Sequence, residues 1–110
     1  RLNDGYQVSN KNYQLALKEL SILKNQVDAV FDEMDLIITP SAPGEALKGL
    51  DYTGSPIFNT TWSLNGNPCI SLPLFTGNQG LPIGCQLVTR FGNDDKLIDF
   101  SNEIYRAYLK

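Results

Sequence analysis

The chain has 110 residues, 9 basic against 12 acidic side chains, a net charge of -3 and 42% apolar residues. That length suits one small domain, at a size where burial on folding is still incomplete. There is no basic run that could neutralise a phosphate backbone, and apolar stretches such as Leu36 to Ile38 are far too short to cross a bilayer, so neither nucleic acid nor a membrane is an expected partner.

The sequence opens at Arg1 without an initiator methionine or the zones of a signal peptide, and it reads as a segment of something longer. From Ser9 to Met34, Tyr13, Leu17, Leu20, Leu23 or Lys24, Val27, Val30 or Phe31, and Met34 recur at helical spacing. This predicts a long helix with one buried face and Ser9 as its N-cap. Asp35 to Thr39 reads as a strand, and since Leu36, Ile37 and Ile38 are apolar without alternation, the strand is expected to be covered on both faces and to end at Pro40.

Residues 40 to 56 carry Pro40, Pro43, Gly44, Gly49, Gly54 and Pro56, a long irregular connection of the kind that is either disordered or functional. Phe58 to Leu64 reads as a short helix ended by Asn65-Gly66. Cys69 to Leu74 alternates, with Ile70, Leu72 and Leu74 on one side, and Ile83, Cys85 and Leu87 repeat the pattern after a polar bend. An antiparallel hairpin follows, although Pro73 lacks a ladder donor and Gly84 has no side chain to pack. If Leu74 faces Ile83, then Cys85 faces Leu72 rather than Cys69. That register argues against a disulfide and for a reducing compartment, most simply the cytoplasm. Asp94 and Asp95 open a last amphipathic helix bearing Leu97, Ile98, Ser101, Ile104, Tyr105 and Tyr108.

These elements give an α/β (α+β mixed) fold class with too few strands and helices to cover its own sheet, so part of the core must come from elsewhere. The chemistry is sparse. There is no histidine, which removes the commonest general base and metal ligand and excludes serine-histidine and cysteine-histidine hydrolysis within this chain. No metal-ligand spacing or phosphate loop is present, so neither a metal nor a cofactor is expected. The cysteines read as structural, and Asp94-Asp95 as a helix start.

Three stretches nevertheless carry a specific resemblance: Trp62 to Pro73 (W-S-L-N-G-N-P-C-I-S-L-P), Gly80 to Arg90 (G-L-P-I-G-C-Q-L-V-T-R) and Asp94 to Ile98. Together with Asp35 to Pro40, Ala42-Pro43-Gly44 and Gly54 to Asn59, they resemble the C-terminal portion of the amidase signature family. The sequence departs from the usual pattern at Thr60-Thr61, and at Asn65 and Asn67, where apolar residues are common. The resemblance implies residues 1 to 110 as the C-terminal segment of a mixed sheet wrapped by helices, incomplete as a domain. The implied protein hydrolyses the C-N bonds of linear carboxamides with a serine nucleophile, a second serine on a cis peptide and a lysine base.

No catalytic residue carries over. The lysine and the glycine-serine stretch lie upstream in family members, and Gly54-Ser55 is the only Gly-Ser pair here, so this chain alone is expected to be inactive. What carries over is a pocket wall, with Phe58, Asn59 and Trp62 as the candidate substrate-binding residues and a small-molecule amide as the implied substrate. The expected cover for the exposed core is the rest of the amidase or, for the chain alone, self-association. Two alternatives stand beside this reading. One is the amidase subunit of a tRNA-dependent glutamine amidotransferase, disfavoured by Asn59-Thr60-Thr61-Trp62 where that subunit usually carries proline. The other is a non-catalytic interaction module.

Overall fold

The structure is a computed structural model, and it describes residues 2–109. A short helix, α1 (Leu2–Tyr6), leads into α2 (Asn10–Val30), whose first turn is capped as expected: Ser9 Oγ accepts the backbone N–H of Asn12 at 3.2 Å. The helix stops at Val30, short of Met34, where the chain turns through Phe31. Phe31 is buried, but no residue within α2 is. The apolar stripe exists, yet Tyr13 and Leu17 are 54% and 42% exposed. The predicted buried face is therefore only partly covered in this chain, with Leu20, Leu23 and Val27 half-buried.

Three strands, β1 (Ile37–Pro40), β2 (Cys69–Thr76) and β3 (Pro82–Val88), pair antiparallel in the order β1-β3-β2. The central strand is β3, which corrects the expectation that the apolar run after Asp35 is enclosed on both faces. Among the described residues β1 pairs on one side only, and Ile38 is 60% exposed. By contrast, Cys85, Gln86, Leu87 and Val88 are all buried, because β3 has a partner along each edge.

The hairpin register places Leu72 opposite Cys85, as read from the sequence, but Phe75 rather than Leu74 opposite Ile83. One extra residue enters β2 between Leu72 and Phe75. Pro73 has no N–H for the ladder, and a bulge is where a strand can hold such a residue. Cys69 lies opposite Val88, and both thiols are free.

The pleat gives the sheet two unlike faces. On one, Leu74, Cys85 and Leu87 pack with Leu97 of α4 (Asp94–Tyr108), and Leu36, Ile70, Leu72 and Ile104 flank them. The other face carries Thr39, Ser71 and Gln86 in one cross-strand row. Over it runs the connection from Ser41 to α3 (Thr60–Asn65), a helix closed by Gly66 at φ 81, a left-handed conformation that favours glycine. Arg90, just beyond β3, ties α2 to the sheet: its Nη2 donates to Asp28 O at 2.8 Å and to the Asp32 carboxylate, and its Nε lies 3.0 Å from Asp28 Oδ1.

The molecule is a slab. A compact domain of this length has a radius of gyration of about 13 Å, whereas this chain reaches 16.9 Å and is only 17 Å thick. Its mixed helices and single small sheet form part of a domain rather than a closed one.

Candidate functional site

The polar face of the sheet is organised around Gln86. Its buried side chain donates from Nε2 to Thr39 Oγ1 at 3.1 Å and to the Phe58 carbonyl at 2.9 Å, joining β3 to β1 and to the segment before α3. Asn59 continues the frame by donating from Nδ2 to Ser41 O at 3.1 Å. Ser41 N–H donates to Gly84 O at 2.9 Å, and the hydroxyls of Ser41 and Ser71 share a hydrogen bond of 2.6 Å. This arrangement requires Gly84, since a Cβ there would stand 2.5 Å from both serine oxygens. The glycine that weakens β3 as a strand is what admits the serine pair.

Beside the serine pair opens a cleft of about 570 Å³. Its walls include Ser41, Glu45, Lys48, Ser71 and Gly84, with Ala42, Pro43 and Leu47 of the connection above. The far wall is the hairpin turn, whose backbone N–H groups at Gln79 and Leu81 donate to the Glu45 carboxylate. The cleft offers hydroxyl, amide and backbone groups suited to holding a polar ligand of small-molecule size. Among the described residues no base is hydrogen-bonded to either serine, so the pair can orient a ligand but is not an activated nucleophile.

The three candidate residues are brought close in sequence but play unlike parts. Phe58 contributes its carbonyl to Gln86, and Asn59 sits at the N-cap position of α3 with its side chain turned to Ser41 instead of capping. Asn59 also borders a shallow depression with Pro56, Thr60, Ser63 and Leu64. Trp62 is half-buried in α3, and its carbonyl accepts the N–H groups of Gly66 and Asn67 that close the helix.

The thiols do not supply a nucleophile. Burial pushes Cys85 above the ordinary thiol range, and partial desolvation moves the more exposed Cys69 the same way, which disfavours the thiolate at both. Arg90 is held further above its ordinary range, chiefly by the hydrogen bond to Asp32. Attraction to Asp28 and Asp32 adds to this and desolvation opposes it.

Gln86, Ser41, Ser71 and Glu45 do not stand out in the sequence. The signal available was the polar phase of the hairpin alternation: Ser71 and Gln86 occupy the positions between the apolar ones, and a buried Gln in a central strand demands partners.

A three-stranded sheet with one helix-packed face and one loop-covered cleft is a recognisable partial architecture, and comparison with known proteins assigns it. The chain belongs to the amidase family, whose model, described as Amidase, matches residues 2–98. Among curated relatives, the glutamyl-tRNA(Gln) amidotransferase A subunit of Wolinella succinogenes is 32% identical over 113 aligned residues, covering 96% of this chain and 24% of that protein. The protein of the same name from Helicobacter pylori strain G27 is 35% identical over 107 residues, covering 91% of this chain and 23% of that protein. A solved 6-aminohexanoate cyclic dimer hydrolase complexed with its substrate superimposes with a TM-score of 0.65 at 25% identity, covering 83% of this chain and 23% of that one. The crystal structure of the glutamyl-tRNA(Gln) amidotransferase A subunit from Thermotoga maritima gives 0.64 at 24% identity, covering 87% of this chain and 23% of that one, and shares the fold. The chain thus spans about a quarter of the length of the relatives it matches. Among the described residues, no helix is long and apolar enough to cross a membrane.

Proposed function

We propose that this chain is the C-terminal, pocket-forming part of an amide hydrolase that cleaves carboxamide C-N bonds with a Ser-Ser-Lys triad carried outside residues 1 to 110. The observation that carries the reading is the cleft on the polar sheet face, built from the family's own motif segments and furnished with hydrogen-bonding groups but no activated base. In this reading the chain binds and shapes while the rest of the protein reacts. Phe58, Asn59 and Trp62 do not line the cleft, and in this reading they act on it from behind, through the loop and helix they hold in place.

The substrate is a small amide, and the exposed part of the apolar face of α2, around Tyr13 and Leu17, is the seat of the remaining core. Free thiols at both cysteines support a reducing, cytoplasmic setting. The test is ammonia release from propionamide and benzamide by the full-length protein, with residues 1 to 110 alone as control. Turnover by the full-length protein and none by the control is expected. Turnover by the control, or none by the full-length protein, refutes the assignment.

A second reading has its own support: curated relatives at 32% and 35% identity are named as the A subunit of glutamyl-tRNA(Gln) amidotransferase. Under it the protein would release ammonia from glutamine and work with companion subunits. Glutamine hydrolysis that appears only when the other subunits are added would decide for this reading over the free-standing amidase.

A further inference from the structure

The connection over the cleft hangs on one side chain. Among the described residues, the hydrogen bonds made by residues 42 to 55 are those of Glu45, and none of these residues is buried. Glu45 Oε1 accepts from Gln79 N–H and Leu81 N–H, both at 2.9 Å, and Oε2 accepts from Gln79 N–H at 3.1 Å. A carboxylate held by backbone N–H groups of a turn is a strong, directional contact.

The turn is shaped to receive it. Gly77 donates to Leu81 O at 2.9 Å, and Gly80, at φ +80, donates to Gly77 O at 3.0 Å, which folds the turn so that its N–H groups converge. A Cβ at Gly77 would run into the Glu45 carboxylate and its Cγ. Gly80 answers to backbone conformation, whereas Gly77 answers to the arrival of Glu45.

We propose that Glu45 is a positioning residue that clasps the 42 to 55 connection to the hairpin turn and thereby fixes the cleft width, setting which amides it admits. This rests on the pocket-wall reading above and names the determinant of its selectivity. At its base the connection is anchored by Asn59 on Ser41, and at its tip by Glu45, so the clasp is the only hydrogen-bonded tie of the tip among the described residues. Once it opens, an unpacked segment of this length samples many conformations and the wall ceases to define a volume.

The experiment uses the full-length protein with Glu45→Ala, Glu45→Gln and Gly77→Ala. Acetophenone and butanone serve as probes, since they keep the outlines of benzamide and propionamide but have no leaving amine. Hydrogen exchange at Gln79 and Leu81 should accelerate about tenfold or more in the Ala variants. The ratio of the two dissociation constants should move severalfold toward the bulkier probe, and Glu45→Gln should fall between because it keeps one acceptor oxygen. Exchange that stays at the wild-type rate overturns the clasp. Faster exchange with an unmoved ratio overturns its role in selectivity, leaving a structural contact only. Failure of the wild type to bind either probe also overturns the proposal. Binding with no hydrolysis of any amide instead sinks the hydrolase reading and leaves the clasp standing.

Discussion

Ser41 Oγ and Ser71 Oγ meet at 2.6 Å over the backbone of Gly84, a contact between residues thirty positions apart that the missing side chain of a third residue makes possible. Ser71 is on β2 and Ser41 follows β1, so the hydroxyl pair bridges the two outer strands across the central one. Adding one methyl at Gly84 forces both oxygens apart. Gly84→Ala is expected to destabilise the full-length protein by about 1–3 kcal/mol, the usual range for overpacking a close-packed site. Denaturant unfolding checks it, and a change within measurement error would show that the serines can separate freely.

Gln86 is a harsher test of the same face. Replacing it with Leu keeps much of the volume but leaves Thr39 Oγ1 and the Phe58 carbonyl without the donor they share. Stripping the partner from a fully buried acceptor costs about 1–3 kcal/mol, and these two acceptors are part-buried, which puts the loss at the lower end. Gln86→Leu should therefore lower stability by that order and loosen the segment around Phe58, seen as faster hydrogen exchange from Phe58 to Trp62. Unchanged exchange there would mean the Gln86 bond does not hold the segment.

How far the fold could be read in advance depended on whether its partners lay within the chain. The cap at Ser9, the helix end at Gly66, the pairing of Leu72 with Cys85 and the Leu97 stripe were legible because each is a local rule or a period. The position of β1 was not. Leu36 to Ile38 looks like an enclosed strand, but strand order is set by pairings that no local pattern encodes, and among the described residues one edge of β1 has no partner. The bulge at Pro73 was half visible: the proline signalled an interruption but not which residue the ladder would skip. Motif position pointed to Phe58, Asn59 and Trp62, none of which lines the cleft, while Gln86, Ser41 and Glu45 were missed because their roles depend on contacts with distant residues.

The exposed stripe on α2 leads to a prediction about the chain by itself. Tyr13, Leu17, Leu20 and Leu23, together with Leu64 of α3, line an apolar groove of about 460 Å³. Left uncovered, such a surface drives association. Residues 1 to 110 alone should grow in light-scattering mass with concentration, and Leu17→Glu should reduce that growth. A wild-type chain that stays monomeric across the series contradicts this.

The thiols give a pH prediction with a definite sign. Burial raises Cys85 above its ordinary 9.0, so the folded state holds its proton more tightly than the unfolded one. Whatever stability this contributes is fully present below the ordinary value and is lost as pH climbs through the raised one. Stability of the full-length protein should fall on the alkaline side, and Cys85→Ala should flatten that fall. An identical alkaline slope in the variant would assign the loss to other groups.

Asn65 poses the opposite question, whether a native residue is worse than its replacement. It is 5% exposed at the end of α3, and neither its amide nitrogen nor its amide oxygen has a hydrogen-bond partner among the described residues. Asn67, two positions on, shows what a satisfied amide does here: it donates to Thr89 O at 2.9 Å and fastens the end of α3 to the end of β3. Desolvating an amide without compensation costs about 1–3 kcal/mol. Truncation to Ala removes that cost and also raises helix propensity. Against this stands the small cavity left by the lost atoms, a smaller effect where the site already borders open space beside Val27 and Phe91. Asn65→Ala should therefore stabilise the full-length protein by about 1 kcal/mol, read as an upward shift in the unfolding midpoint. A drop of similar size would mean that Asn65 has a partner in the complete protein, supplied by residues outside this chain or by bound water.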